Sequence, residues 1–442
     1  MSPQRVGRRL LAVIAVLVLT GCSGGTTADQ PEAMAPSPEL PPQVLLSDSM
    51  RREPVPGWTI TSNDLNFPPG TVMRPVRNIG DRGIFLGITD EGWWLFGLNV
   101  SNGQRTFGPI RLGSAEEATD FDCYVNGPPM VLCVRQGADQ GARSTAWIVD
   151  TVSGEIAFEG LSDLRVYSQD QPQLEQIGDY VVARVAGSGM YGVGERAELT
   201  WFVPGGGVLP AYFETWARDS SPSNLAVQSS GGVADVVFSV ADGSIVAPSL
   251  PKDVELERAV VYPGGFGYEY SLADDFSTTR VAFFDDKGTQ LSEPVPDGRI
   301  EDGSLDLPMV STATSRLVFT IDGRQLLQLP ASVAASEARR IGGRFFVTTT
   351  SDEQKWQQFD LGTGTTGKTC EGDSLGSYYI ASDGDVAIAL GGAPAHAIDL
   401  ATCETLWALA RSGPTEAKEV WKVHTTLIQR TNDRLFSLVP PA

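Results

Sequence analysis

From Trp58 onward the chain alternates short apolar runs with Gly- and Asp-rich breaks, and helical periodicity is almost absent. Runs such as Trp93-Trp94-Leu95-Phe96, Trp147-Ile148-Val149 and Trp356-Gln357-Gln358-Phe359 read as strands. Each is followed by a turn of the form Asp-x-x-Ser/Thr-Gly and then a second strand. The turns are Asn99 to Gly103, Asp150 to Gly154 and Asp360 to Gly364, with looser copies ending at Gly243 and Gly288. Asp or Asn at the first position bonds the backbone two residues on, and Gly at the last supplies a positive φ without steric cost. A second class of turn precedes many inner strands: Asp90-Glu91-Gly92, Ser230-Gly231-Gly232 and Thr431-Asn432-Asp433. The unit repeats at a period of roughly 40 residues, which accommodates four short strands per unit and predicts a β-propeller.

One blade cannot bury both faces, so blades must stack around an axis until the ring closes. The last unit, Val423 to Gln429 and Arg434 to Val439, lacks an outer strand, and Gly57 to Ser62 (GWTITS) is placed to supply it. Candidate blades fall at 76–113, 119–160, 164–210, 217–250, 256–298, 304–335, 338–372, 376–410 and 416–442. Nine exceeds the usual four to eight. One central unit is therefore suspect, and the count is taken as eight, with seven to nine compatible. The fold class is all-β, a single propeller over 57–442. Two separate sandwiches would not give the regular turn spacing or leave a final strand missing.

The best-kept unit is Ala397-Ile398-Asp399-Leu400-Ala401-Thr402-Cys403-Glu404-Thr405-Leu406-Trp407. It resembles the repeat of quinoprotein-like (PQQ-repeat) propellers, with Cys403 in the Gly position. No Gly-His start or Trp-Asp end recurs, so the pattern is not that of WD40 repeats. Ser351 to Trp356 does not fit the Asp box of sialidases. The resemblance extends in architecture to BamB-type envelope lipoproteins, and it implies a scaffold role by fold analogy.

The N-terminus sets an expected location. Arg5, Arg8 and Arg9 precede an apolar run, Leu10 to Leu19, too short to span a bilayer but suited to a signal peptide. The run ends in Leu19-Thr20-Gly21-Cys22, which resembles the bacterial lipobox. That resemblance implies cleavage after residue 21 and acylation of Cys22, giving a cell-membrane lipoprotein on the extracytoplasmic face with the bilayer as its first partner. The Arg8-Arg9 pair alone does not make a twin-arginine signal. Residues 22–56 carry Pro31, Pro36, Pro38, Pro41, Pro42, Pro54 and Pro56 and read as a disordered, extended tether, with a short helix allowed over 44–51.

Five cysteines less Cys22 leave Cys123, Cys133, Cys370 and Cys403, an even set suited to disulfides in an exported chain. Cys123 and Cys133 flank the turn Asn126-Gly127-Pro128-Pro129, while Cys370 and Cys403 sit at similar points of successive repeats. Among three connectivities this favours 123–133 and 370–403. Zinc is disfavoured, because there is no CxxC and both His residues, His396 and His424, lie far from the first pair.

Charge narrows the partners. Losing three arginines with the signal takes the formal charge from −21 to −24, which repels nucleic-acid phosphates. Candidate carboxylates Asp274-Asp275, Asp285-Asp286, Asp373, Asp383 and Asp385 all read as turn residues rather than a catalytic or Ca²⁺ site. His396 reads as a near-surface residue just before a strand, and His424 as a satisfied sheet histidine. No adjacent-Cys pair or metal constellation supports a quinone cofactor, so no cofactor, metal or catalytic residue is assigned.

Trp93 and Trp94 point to opposite faces of one strand, one expected in the core and the other as a ligand or partner contact. Tyr268 and Tyr270 in Tyr262 to Tyr270 (YPGGFGYEY) are further contact candidates. The leading expectation is a non-catalytic scaffold binding envelope proteins. The alternatives are a binder of an envelope glycan or small ligand in the propeller funnel, and a relative of PQQ-type oxidoreductases.

Overall fold

The computed structural model describes residues 39–442 except 115–117, 138–141, 167–170, 210–218, 221–222, 230–233, 334–335, 350–354, 392, 411–412 and 414–417. The signal sequence and Cys22 lie outside the described residues. Pro38 to Ala442 forms one unit.

Blade 1 is an antiparallel sheet of Val72–Ile79, Arg82–Thr89, Gly92–Asn99 and Arg105–Arg111, in that order. The same four-stranded meander recurs over 118–162 (blade 2), 173–204 (blade 3), 254–296 (blade 5), 299–330 (blade 6), 338–371 (blade 7) and 379–408 (blade 8). Blade 9 uses three strands from 418–439 and takes Val55–Thr61 as its fourth. This is the expected closure, two residues earlier than the GWTITS stretch. Thr59 pairs with Phe436 and Ile60 with Leu435, so the two chain ends are joined by backbone hydrogen bonds. First strands of blades 1 and 2, 5 and 6, 8 and 9, and 9 and 1 lie against one another, and the first described strand of blade 4 against that of blade 5, so the first strands line the axis.

Eight sheets are thus four-stranded, matching the count of eight. The ninth candidate, 217–250, holds the ring's remaining position as blade 4. Among the described residues it is a two-stranded sheet, Leu225–Gln228 with Val236–Ser239, extended by single bridges from Ser229 to Val208 and from Phe238 to Ile245.

Strand alternation explains the stacking. In blade 1, Ile84, Leu86, Trp93 and Leu95 face blade 2, where Cys123, Val125, Val131, Cys133 and Trp147 meet them. The intervening Phe85, Phe96 and Leu98 face blade 9, against Val423, Ile428 and Leu435. Both faces are apolar because both are covered. Corresponding clusters fill every other interface of the ring, including those on either side of blade 4 through Ala226 and Phe238 and through Leu225 and Val227.

The repeated turn works as its residues dictate. Asp150 Oδ1 accepts the Val152 amide at 2.8 Å, and Gly154, at φ 72°, donates its own amide to the Asp150 carbonyl at 2.8 Å. Cys403 takes the equivalent position at φ 61° and donates to the Asp399 carbonyl in the same way. A side chain in this left-handed conformation is strained, and here the sulfur is used. Cys403 is disulfide-bonded to Cys370, linking the turn of blade 8 to the outer strand of blade 7. Cys123 and Cys133 form the second disulfide, between directly paired residues of blade 2.

The expected tether differs from the structure. From Gln43 to Arg52 the chain is docked on blades 7, 8 and 9, and no helix forms over 44–51. Proline density prevents this stretch from making a ladder of its own, but an extended segment can still bond to groups presented by other elements. We call residues 39–54 the strap.

Candidate functional site

The strap follows the blade face that carries the turns between first and second strands. At blade 7, Gln43 donates its side-chain amide to the Arg340 carbonyl at 2.9 Å and accepts the Gly342 amide at 2.7 Å. Arg340 in turn donates its guanidinium to the Pro41 carbonyl. At blade 8, the Leu46 amide donates to the Ser382 carbonyl at 2.8 Å and the Met50 amide to Asp383 at 2.7 Å. At blade 9, Ser47 donates to the Thr425 carbonyl at 3.0 Å. Trp407 then donates its indole N–H to the Met50 carbonyl at 2.7 Å, and Arg51 pairs with Asp399 at 2.7 Å.

Leu46 and Met50 are buried between blades 8 and 9, among Ile380, Val386, Trp407, Val420 and Leu438. Burying each such side chain stabilises by about 1.5–3 kcal/mol relative to exposure. The strap is therefore part of the interblade core.

A second segment meets the strap on the axis. Asp219 and Ser220 precede the first described strand of blade 4, yet they touch blades 6, 8 and 9 across the ring. Ser220 bridges to Gln43 of the strap and donates its hydroxyl to Asp306 at 2.6 Å. The Asp219 carboxylate accepts hydrogen bonds from Lys422 Nζ and Tyr379 Oη, and its carbonyl accepts the Val44 amide. Lys422 also donates to the Val44 carbonyl. Lys422 and Asp219 have side chains only 4% and 2% exposed.

Burial pushes the Asp219 carboxyl above its ordinary value, against the Lys422 charge and the hydrogen bonds from Lys422 and Tyr379. Burial, then the Asp219 charge, drives the Tyr379 phenol up. Desolvation pulls Arg340 down, opposed by Asp306 and Asp219. Arg339 stacks on the Tyr379 ring at 4.2 Å. Three cations of an acidic chain thus converge where its own carboxylates and backbone neutralise them.

Apart from Asp383, which holds the Met50 amide, the residues singled out from the sequence fall elsewhere. Trp93 is buried at the interface of blades 1 and 2, stacked on Phe121 with centroids 4.7 Å apart. Trp94 is half-buried toward blade 9, with Arg111 over its ring. Tyr268 and Tyr270 are buried between blades 4 and 5, and Tyr268 donates its hydroxyl to the Asp235 carbonyl. Trp93 is thus the core member of the tryptophan pair, as expected, whereas Trp94, Tyr268 and Tyr270 pack between blades rather than standing free as contacts. The reason is geometric: a propeller blade is covered on both faces, so neither side of a strand's alternation is reserved for solvent.

Asp275 and Asp285 bond their own turns, through Ser277 and through Lys287 and Thr289. Asp373 bonds Ser377. Asp383 does more than expected, fixing its turn through Asp385 and Val386 while holding Met50. His396 Nε2 lies 3.1 Å from Ser374 Oγ, and burial lowers its pKa. His424 occupies a turn at φ 54°, and burial lowers its pKa too. Among the described residues no three His, Cys, Asp or Glu side chains gather as a metal site.

Away from the axis, a cavity of about 290 Å³ opens over blades 2 to 4, with Asn126, Tyr180, Glu195, Thr200 and Trp201 in its walls. Of these the sequence pattern marked only Asn126, as a turn residue. Large apolar side chains also lie exposed along the outer edges of blades 2 to 5: Leu161 (60%), Phe202 (47%), Ile245 (59%) and Leu291 (38%).

Comparison with known proteins adds the following. An uncharacterised protein of Mycolicibacterium smegmatis (strain MKD8) is 37% identical over 435 residues, spanning 91% of this chain and 88% of that protein. Among solved structures, the β-propeller domain of Myceliophteria thermophila Cps50 (Swd1) is 10% identical, with a TM-score of 0.35 over 88% of this chain and all of that one. The computationally designed Ika8 protein is also 10% identical, with a TM-score of 0.32 over 83% of this chain and 96% of that one. Residues 30–441 match the family described as the conjugation-associated 9-bladed β-propeller domain, and the chain belongs to that family.

Proposed function

We propose that the protein is a lipid-anchored, extracytoplasmic scaffold that binds protein partners of a conjugation-associated assembly in the cell envelope and catalyses no reaction itself. The observation that carries the reading is the run of exposed apolar side chains on the outer edges of four consecutive blades, Leu161, Phe202, Ile245 and Leu291. Val152, Ile156, Leu199 and Val208 are exposed on the same blades, against Val55, Val72, Tyr378 and Leu406 on or beside blades 8, 9 and 1, and an arc enriched in exposed apolar side chains fits a protein contact. The family description supplies the association with conjugation. The quinoprotein-like repeat and the BamB-type architecture support the scaffold role by analogy alone.

The anchor is the thioether on Cys22 in this reading, with the bilayer as partner. Seventeen residues separate the start of the mature chain from Glu39, the first described residue. At about 3.6 Å per extended residue this holds the propeller within about 60 Å of the membrane. That is shorter than a tether running to residue 56 would allow.

Photo-crosslinkers placed at Phe202 and Ile245 in native membranes test the scaffold, and a reproducible envelope-protein adduct absent from probes on blade 7 is expected. A probe set that captures nothing above background removes the reading. Cys22→Ala is expected to release the protein from the membrane fraction. A variant that still partitions with membranes refutes the anchor.

A second reading is a small-ligand binder, and the cavity over blades 2 to 4 favours it. Its volume lies at the lower end for ligand sites, and Tyr180 and Trp201 beside Asn126 and Glu195 suit a sugar ring. A thermal-shift screen of envelope saccharides against wild type and Trp201→Ala tests it: a shift that Trp201→Ala abolishes supports the site.

A further inference from the structure

The strap is held as one chain holds a bound peptide. Its backbone contributes the Pro41 and Val44 carbonyls and the Leu46 and Ser47 amides to groups of the blades and the Val44 amide to the Asp219 carbonyl, and Met50 is held through both its amide and its carbonyl. Main-chain hydrogen bonds of this kind supply affinity in strand-type peptide recognition, and side-chain pockets supply specificity. Both components are present. The Gln43 side chain is read by two backbone groups of blade 7, and Leu46 and Met50 enter one apolar pocket between blades 8 and 9. None of the partners is near in sequence: the Gln43 to Arg340 bond spans 297 residues and the Trp407 to Met50 bond 357.

We infer that the groove across blades 7 to 9, formed by Arg340, Gly342, Ser382, Asp383, Trp407 and Thr425, is a peptide-binding site. It is filled in cis by residues 41–50, and it takes in trans an extended partner segment with Gln followed by apolar residues three and seven positions later. The occupant's chemistry is the strap's own: an uncharged Gln-Val-Leu-Leu core, recognised by its backbone, its amide and two aliphatic side chains. A segment rich in acid is excluded, since Asp383 and Asp399 edge the groove.

The cis segment competes at an effective concentration of order mM, so a partner engages the groove when its segment outcompetes the strap or when the strap is drawn off. Lys422 and Asp219 lie under the strap at Val44, so exchange at this groove reaches the buried ion pair on the axis. This deepens the scaffold reading and rests on it for biological use. The groove's binding is measured separately, so its failure leaves the crosslinking test of that reading untouched.

The experiment uses a fluorescein-labelled peptide of residues 39–54 and the full soluble chain. Fluorescence anisotropy is read for wild type, for Gln43→Ala/Leu46→Ala, which weakens the cis strap, and for the same variant with Trp407→Phe, which removes a donor from the groove. Thermal melts establish that each variant is folded. The expected result is at least tenfold tighter peptide binding by the strap-weakened variant than by wild type, with about tenfold of that gain lost on Trp407→Phe. A folded strap-weakened variant that binds no peptide overturns the proposal. If that variant does not fold, hydrogen exchange of the wild type decides. Amides of Leu46 and Ser47 exchanging at least 100-fold faster than those of the first strand of blade 8 support a detachable strap. Equal protection means the groove is never free and overturns it.

Discussion

Blades 9 and 4 both lack one run of consecutive strands, and the chain treats the two gaps in opposite ways. Blade 9 borrows Val55–Thr61 from the other end of the chain, and the strap just before that strand adds Leu46 and Met50 to the interface with blade 8. Among the described residues blade 4 gains only single bridges, from Ser229 to Val208 and from Phe238 to Ile245. The residues before its first described strand, Asp219 and Ser220, are drawn to the far side of the ring, and two regular strands remain among the described residues. A gap at the point of ring closure is repaired because an unclosed ring exposes two whole blade faces. A gap within the ring is tolerated because the neighbouring blades still cover the short sheet, through Phe238 on one side and Val227 on the other. The exposed apolar side chains of blades 2 to 5 run past this shorter blade, while on the strap side Leu46 and Met50 are buried.

The axis contact is the sharpest expression of this difference, and breaking it has the largest expected effect. Asp219→Ala leaves the Lys422 ammonium buried without a carboxylate. Removing one partner of a buried pair costs about 3–5 kcal/mol, so the urea midpoint should fall accordingly. The double variant Asp219→Leu/Lys422→Met, which removes both charges, should recover most of the loss. If Asp219→Ala is neutral, the segment does not cross the axis in solution and blade 4 keeps its residues for itself.

Next in size are the two disulfides. The bond from Cys370 to Cys403 closes a separation of 33 residues, whereas that from Cys123 to Cys133 closes 10. Loop-closure entropy gives about 4 kcal/mol for the first and about 3 kcal/mol for the second. Cys370→Ala should therefore lower stability more than Cys123→Ala. In the Cys370→Ala background, Cys403→Gly should return up to about 1 kcal/mol, because Gly accepts the left-handed conformation without strain.

Much of this was legible in the residues. Asp150 to Gly154, Asp360 to Gly364 and Asp399 to Cys403 write the blade period as local turn chemistry, and a local signal can be read locally. The missing last strand pointed to Gly57 onward, and the cysteine positions to both disulfides. The strap was not legible. Pro41 to Arg52 has no periodicity, because an extended segment bonded to other elements need not alternate, and its partners lie hundreds of residues away. Nor was the axis cluster: a single Asp219 in one loop and Lys422 in a distant strand carry no spacing that links them. Trp93 and Trp94 illustrate a different limit. Alternation separates the two faces of a strand but does not say whether a second neighbour covers the outer one.

Met50→Ala probes the strap side with an effect of about 3 kcal/mol, the usual cost of truncating a buried Met, since Met50 is 1% exposed. Ile245→Ala on the outer edge of blade 4 should cost under about 0.5 kcal/mol, as expected of an exposed position. Chemical denaturation of the two variants side by side measures the contrast. Equal losses would mean that blade 4's edge is covered by chain or partner rather than open.

The smallest effect comes from the turns, and it separates blade 4 from the complete blades by pH. Hydrogen bonds from Ser244 hold the Asp242 carboxyl of blade 4 below its ordinary value, and bonds from Thr363 do the same for Asp360 of blade 7. A depressed folded pKa means the unfolded chain binds the proton first. The contribution is present above the unfolded value, near 3.9, and is lost as pH falls through the lower folded value. Both Asp→Asn variants keep the turn geometry but remove this titration, so each should flatten the decline of melting temperature between about pH 5 and pH 2. In blade 7 the turn joins two strands already held in a four-stranded sheet, whereas in blade 4 it brings Ile245 to Phe238 with only the Val246 amide bond to the Val237 carbonyl beyond it. Acid should therefore release the Ser244 and Val246 amides of blade 4 to hydrogen exchange before the Thr363 amide of blade 7. Simultaneous release would show that the two blades open as one cooperative unit.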